Sequence, residues 1–231
     1  MKKKLVILSI LGLISIATAS YATEKVSTPN LEQSNAYLEE ARNLSRKNDL
    51  SGAEKKLNEA LKLNNKNADI YYELGQIEAI RKNNDKAIYY YNKAIQISPN
   101  KDEYYFARAG AEAYKFQLAK VSENLNKVIE INPTNGQAYT FLAVSYMRFG
   151  HTEKALELYN KAIQYDESSL DLLYPARAEA KTHLKDYDGA INDYKKAIEF
   201  TNKSVDSNKA SKVEYLKRKI ADLEEAKKVF K

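Results

Sequence analysis

The chain has 231 residues, of which 44% are hydrophobic and 29% charged, a composition typical of a folded chain rather than a disordered one. Glycine and proline are scarce, at 7 and 4 residues, so long helices are allowed and a turn-rich β fold is disfavoured. The sequence has no cysteine, which excludes disulfides, thiolate metal sites and a cysteine nucleophile.

The formal net charge of +6 is concentrated at the two ends of the chain. Lys2, Lys3 and Lys4 carry three of the positive charges, and residues 203–231 hold nine Lys or Arg against five Asp or Glu. The part between them is close to neutral, so it offers no continuous basic stripe that could follow a phosphate backbone. We therefore expect no nucleic-acid partner.

The N-terminus follows the three-part layout of a secretory signal peptide. Residues 1–4 are basic, residues 5–16 are mostly apolar, and small residues then recur with the spacing of an Ala-x-Ala cleavage site. The apolar run is shorter than the roughly 20 residues that span a bilayer. We predict cleavage near Ala22, or at Ala19, and an exported protein that is periplasmic or secreted. An uncleaved membrane anchor is the alternative. Residues 23–33, which include Pro29, are predicted to be a flexible lead-in.

The rest of the chain is dominated by an internal repeat. Tyrosines recur at steps of 34, 34, 34 and 35 residues, and each is followed four residues later by a small residue; the tyrosines are Tyr37, Tyr71, Tyr105, Tyr139 and Tyr174, and the small residues Ala41, Gly75, Ala109, Ala143 and Ala178. Such self-similarity at a fixed period indicates a repeat architecture.

Each copy contains two amphipathic stretches separated by a polar break, which predicts a helical hairpin. Small residues are expected where the two helices approach most closely, since larger side chains would separate the axes beyond about 8–10 Å. Stacked hairpins share one continuous core. The five copies are predicted at 34–67, 68–101, 102–135, 136–169 and 171–204.

The pattern resembles the tetratricopeptide repeat, whose signature combines aromatic, leucine, small and proline positions. Copies two and four carry it most fully, as Tyr71, Leu74, Gly75, Ala87, Tyr91, Ala94 and Pro99, and as Tyr139, Leu142, Ala143, Tyr146, Ala155, Tyr159 and Ala162. Glu40, Arg108 and Arg177 depart from it at the leucine position, which we expect to weaken those copies. The resemblance implies an all-α fold, an α-solenoid with a right-handed superhelix of five hairpins and a C-terminal capping helix.

Residues 205–231 are predicted to provide that capping helix. Val213, Leu216, Ile220 and Leu223 have helical spacing and would cover the apolar face of the last hairpin. A weak contact between the basic side chains of this helix and a membrane surface or an acidic partner is the alternative interpretation.

No pattern of residues points to catalysis. The sequence lacks a glycine-rich phosphate loop, and its two histidines, His151 and His183, belong to no ligand cluster or serine motif. We expect no enzymatic activity, no cofactor and no metal.

In the resembled family the first helix of every hairpin lines the concave surface, where a protein or peptide partner binds. That resemblance implies a candidate partner-binding set of Tyr72, Gln76, Ile80, Phe106, Tyr114, Met147, Arg148 and His183. Exposed aromatics in a concavity are common anchors, but Tyr72 and Phe106 could instead pack adjacent hairpins.

The expected function is that of an envelope scaffold or adaptor, which binds a segment of another exported protein in assembly or secretion. The alternative is a structural or assembly factor tethered to the membrane by an uncleaved N-terminus.

Overall fold

The computed structural model describes residues 27–203, 205 and 207–229. These residues form eleven α-helices and one short 3-10 helix (Glu167–Ser169), and no strand. The predicted signal peptide and residues 23–26 lie outside the described residues. The helices are α1 Thr28–Arg46, α2 Leu50–Leu63, α3 Ala68–Ile80, α4 Asn84–Ile97, α5 Asp102–Ala113, α6 Leu118–Ile131, α7 Gly136–Arg148, α8 Thr152–Tyr165, α9 Leu170–His183, α10 Tyr187–Lys203 and α11 Lys209–Val229.

The helices pair in chain order. Each odd-numbered helix from α1 to α9 packs most extensively on the helix that follows it, which gives five hairpins. The second helix of each hairpin then contacts the first helix of the next, so that neighbouring hairpins share their apolar faces. The predicted α-solenoid of five hairpins and a C-terminal helix is confirmed.

The turn inside every hairpin contains one residue with positive φ, at equivalent positions of the five copies. These residues are Asn48 (φ 62°), Lys82 (φ 65°), Phe116 (φ 56°), Gly150 (φ 78°) and Lys185 (φ 62°). A left-handed residue ends a helix because it turns the chain away from the helical path. The conformation is natural for glycine and asparagine but strained for lysine and phenylalanine.

Small residues mark the closest approaches between helices, as predicted. A Cβ atom added to Gly75 would lie 2.5 Å from Cε1 of Tyr91, a residue that is only 1% exposed. Ala87 and Ala94, on the facing side of α4, are fully buried. The small side chains let the aromatic ring lie directly against the α3 backbone.

The prediction of a flexible lead-in is wrong for residues 28–33, because α1 begins at Thr28. Pro29 lies in the first turn of the helix, where its missing N–H costs no helical hydrogen bond. Further along α1, Ser34 is buried and its Oγ donates to the carbonyl oxygen of Ala60 at 3.0 Å. Pro29 therefore starts the helix rather than preventing it.

Helix α11 caps the last hairpin. Leu216 and Leu223 are buried against Tyr194 and Ala197 of α10, and the ammonium group of Lys227 pairs with Asp188. The helix covers the apolar surface that a sixth hairpin would otherwise have to cover. None of the described helices is both long enough and apolar enough to cross a membrane.

The arginines at the leucine position are paired across their hairpins. Arg108 donates from Nε and Nη2 to Oδ1 of Asn124 on α6, at 2.8 and 2.6 Å, and from Nη1 to Asn92 of the preceding hairpin at 2.6 Å. Arg177 makes the same arrangement with Asp193 and Asn160.

In copy one the charges are reversed, with the carboxylate on the first helix and the cation on the second. The Nζ of Lys56 lies 3.0 Å from a carboxylate oxygen of Glu40, again across the two helices of one hairpin. The departures that we expected to weaken the copies thus come with polar partners on the facing helix.

Candidate functional site

A concavity between the second and third hairpins, hereafter the groove, has a volume of about 540 Å³. It lies along the first helices of the second, third and fourth hairpins. Asn84 and Tyr91 of α4 complete the lining. Its main lining residues are Tyr72, Gln76, Ala79 and Ile80 from α3, Asp102, Glu103, Phe106, Ala107, Gly110, Ala111 and Tyr114 from α5 and its C-cap, and Asn84, Asn135 and Gln137.

The middle of the groove is apolar and opens above Gly110. A Cβ atom added to Gly110 would meet no other atom within 4 Å, so the missing side chain leaves free volume. Phe106 lies one turn before Gly110 on the same helix, and its ring contacts Phe141 of α7 edge-on at a centroid distance of 5.7 Å. An apolar side chain of a partner would find both room and apolar contacts here.

One wall of the groove is formed by two tyrosines, Tyr72 and Tyr91, that are linked by hydrogen bonds through Gln76. The hydroxyl of Tyr91 donates to Oε1 of Gln76 at 3.0 Å, and Nε2 of Gln76 donates to the hydroxyl oxygen of Tyr72 at 2.9 Å. Because Tyr72 accepts this bond, its own O–H remains available to a partner. Burial raises the pKa of both phenols, so both are neutral donors at physiological pH.

The ring of Tyr72 also packs between hairpins. Its centroid lies 5.1 Å from that of Tyr104 on α5 and 6.0 Å from that of Tyr91 on α4. Tyr104 is buried, and its hydroxyl donates to Asp69 of α3. This wall is therefore fixed by contacts that also join the second hairpin to the third.

The two ends of the groove differ in chemistry. At the start of α5 lie Asp102 and Glu103, whereas Ile80 and Tyr114, at the ends of α3 and α5, are 58% and 75% exposed. No Lys or Arg is among the described lining residues. The groove therefore runs from an acidic end to an apolar end.

Models of the tetratricopeptide repeat match residues 38–102, 136–169 and 174–204, which together are more than half of the chain. The chain is a tetratricopeptide-repeat protein. A search of curated proteins by sequence found no match.

Several solved structures share the fold of this tetratricopeptide-repeat protein. MamA superposes with a TM-score of 0.67 at 23% identity, over 74% of this chain and 93% of MamA. PilF of Pseudomonas aeruginosa gives a TM-score of 0.68 at 14% identity, over 84% and 90% of the two chains. YrrB, described as a protein with an unusual peptide-binding site, gives 0.61 at 19% identity, over 74% and 88%. At these identities the likeness establishes the fold.

Five of the eight predicted binding residues lie together in the groove. Tyr72, Gln76 and Ile80 on α3 face Phe106 and Tyr114 across the interface between the second and third hairpins. Tyr72 and Phe106 both line the groove and pack neighbouring hairpins, so the two interpretations of these residues hold at once. Their role in binding a partner stays a prediction.

The other three predicted residues lie elsewhere. Met147 packs into the buried cluster around Ala143 and Tyr159, and the guanidinium carbon of Arg148 lies 4.2 Å from the ring centroid of Phe116. His183 is exposed and borders a separate cavity between α9 and α11, which is lined on the far side by Lys219. These three residues lie on first helices, as expected from the repeat spacing. Their local packing, and for His183 the neighbouring capping helix, place them outside the groove.

Sequence reasoning missed the contribution of α4 to the groove. Asn84 and Tyr91 belong to a second helix, and the resemblance assigns the concave lining to first helices. Tyr91 reaches the groove because Gly75 has no side chain, so that the tyrosine ring can lie directly against the α3 backbone. The available signal was a glycine at a position where the four other copies have alanine.

The described residues contain no group of three or more His, Asp or Glu that could hold a metal ion. The groove offers neutral hydrogen-bonding groups, an apolar centre and two carboxylates, all of which a polypeptide segment can contact.

Proposed function

We propose that this tetratricopeptide-repeat protein is an exported scaffold or adaptor that binds a segment of another envelope protein in the groove, during assembly or secretion. The observation that carries the proposal is the groove itself, with its free volume above Gly110 and its exposed Ile80 and Tyr114. The peptide-binding site named for YrrB, which shares the fold, gives further support.

The test is a variant that closes the groove without loosening the fold. In Gly110→Leu the new side chain enters open space, and leucine favours a helix more than glycine does. The aromatic residues are less suitable targets, since Tyr72 and Phe106 pack between hairpins and their loss would also destabilise the solenoid. Val144→Leu is the matched control, because Val144 holds the equivalent position on α7, is 49% exposed and does not line the groove.

Both variants are compared with the wild type by affinity capture from an envelope fraction and quantitative mass spectrometry. We expect a specific partner to be retained by the wild type and Val144→Leu and lost with Gly110→Leu, while thermal melting shows both variants folded. Equal capture by all three proteins would remove the groove from the proposal.

Export is supported by the signal-peptide pattern of the sequence, and mass spectrometry of the native N-terminus tests it. A chain that starts near Thr23 would support the exported adaptor. A chain that keeps its first residues and partitions with membranes would favour the second candidate, a membrane-tethered assembly factor held by the N-terminal segment.

A further inference from the structure

We propose that the groove selects an extended segment in which a lysine or arginine lies three residues from a bulky apolar residue. This inference rests on the proposed function, since it names the chemistry of the segment that the groove would bind. It is carried by the charge distribution, the free volume and the length of the groove.

The apolar residue of the segment would lie above Gly110. This position has no side chain to occupy the space, while Phe106, Ala107 and Tyr114 surround it with apolar surface. Burying one large aliphatic or aromatic side chain here contributes about 1.5–3 kcal/mol of favourable free energy. The space is therefore the natural anchor point of the groove.

The basic residue would lie at the acidic end. Asp102 and Glu103 are the only charged residues in the described lining of the groove, so the groove carries two negative charges and no positive one. Glu103 lies 3.4 Å from Lys101, but both side chains are about half exposed, and such exposed pairs contribute little. Within the described residues the Asp102 carboxylate accepts two side-chain hydrogen bonds, both long at 3.3 Å, from Asn132 and Asn135. Both carboxylates can therefore turn to a partner's cation.

The length of the groove fixes the spacing of the two anchors. Glu103 and Gly110 are seven residues apart on α5, which is about 10 Å along a helix axis. Three residues of a chain extended in the polyproline II conformation cover about 9 Å, and because this conformation has three residues per turn, the first and fourth side chains lie on the same face. A segment that lies along α5 thus brings its basic and apolar side chains to the two sites at once.

An extended segment fits the groove better than a helix. The O–H of Tyr72 and the amide of Gln137, which makes no side-chain hydrogen bond within the described residues, can bind a peptide backbone. A helix has already satisfied those backbone groups internally, but a segment in the polyproline II conformation has not.

The test measures binding of dye-labelled peptides to the full-length protein by fluorescence anisotropy. The parent peptide is a nine-residue serine–glycine chain with lysine at its third position and phenylalanine at its sixth. One matched peptide replaces the lysine with glutamate, and another replaces the phenylalanine with serine. The protein variants are Glu103→Lys and Gly110→Leu, with Glu157→Lys, an exposed carboxylate on α8, and Val144→Leu as matched controls.

We expect the wild type and both controls to bind the parent peptide about tenfold more tightly than either matched peptide. Glu103→Lys should reverse the preference, so that the glutamate peptide binds more tightly than the lysine peptide. Gly110→Leu should weaken all three peptides without lowering the melting temperature.

The failures of the two proposals are distinguishable. If Gly110→Leu abolishes binding but Glu103→Lys leaves the preference between lysine and glutamate unchanged, the groove is the site and the basic–apolar selection is wrong. If no peptide binds, or Gly110→Leu has no effect, the groove assignment fails as well. A concentration-dependent oligomer that Gly110→Leu dissociates in sedimentation would show that a second copy of the chain occupies the groove, and would overturn the inference.

Discussion

Two glycines in the interiors of first helices should respond to the same substitution with opposite signs. Replacing a helical glycine by alanine ordinarily stabilises a helix by about 1 kcal/mol. At Gly110 the new methyl group meets nothing within 4 Å, so Gly110→Ala should stabilise the protein by about 0.5–1 kcal/mol. This substitution is the control for the second glycine.

At Gly75 the same methyl group would lie 2.5 Å from Cε1 and 2.7 Å from Cδ1 of Tyr91. Ordinary contacts are about 1 Å longer, and the ring cannot move freely because Tyr91 is buried and donates to Gln76. Overpacking of this kind costs about 1–3 kcal/mol. We therefore expect Gly75→Ala to destabilise the protein by up to about 2 kcal/mol after the helical gain is subtracted.

The measurement is urea unfolding followed by far-ultraviolet circular dichroism, completed as a double-mutant cycle with Tyr91→Leu. In the background of Tyr91→Leu, the alanine at position 75 has room and should become stabilising. A stabilising Gly75→Ala in the wild-type background would refute the explanation of why the second copy has glycine at this position.

The remaining predictions concern charge and pH. Arg177→Met should destabilise the protein by about 3 kcal/mol in the same urea experiment, because it removes one of the two cations paired with the fully buried Asp193. Arg108→Met should cost only about 1 kcal/mol, because the partners of Arg108 are neutral amides. Equal losses would contradict the charge argument. Burial raises the pKa of Tyr159 from 10.0 to about 12, so its contribution is complete below pH 10 and is lost as the pH rises toward 12. Tyr159→Phe should flatten the fall of stability across this window, and an unchanged slope would be the contrary result.

The fold could be predicted from the sequence because the features that build it recur in every copy. A tyrosine and a small residue four positions later recur at fixed spacing in all five copies, so repetition excludes chance agreement. The limits of α1 could not be found in this way. Pro29 and its neighbours precede the first copy, and a proline there is compatible with both a lead-in and a helix start.

The groove was harder to predict because it arises where the copies differ. Five different residue types occupy the position equivalent to Gly110, namely Arg42, Gln76, Gly110, Val144 and Glu179. The repeat spacing that identifies the fold therefore does not indicate which copy contributes a cavity. The polar pairs at the leucine position were missed for a similar reason. Each arginine is explained only by its partner sixteen residues later, on a different helix.

The carboxylate of Asp69 joins the first three hairpins. Arg42 from the first approaches it at 3.6 Å, and Tyr104 from the third donates to it, while Arg42 also donates to Glu73 at 2.7 Å. Across the next interface the contacts are the edge-on packing of Phe106 and Phe141 and one long hydrogen bond of 3.3 Å, from Asn135 to Asp102. Directional polar bonds resist sliding more than apolar surfaces do. If the two ends of the solenoid are pulled apart, for instance with optical tweezers, the first three hairpins should move together as one stiff unit. The first extension should occur between the third and the fourth hairpin.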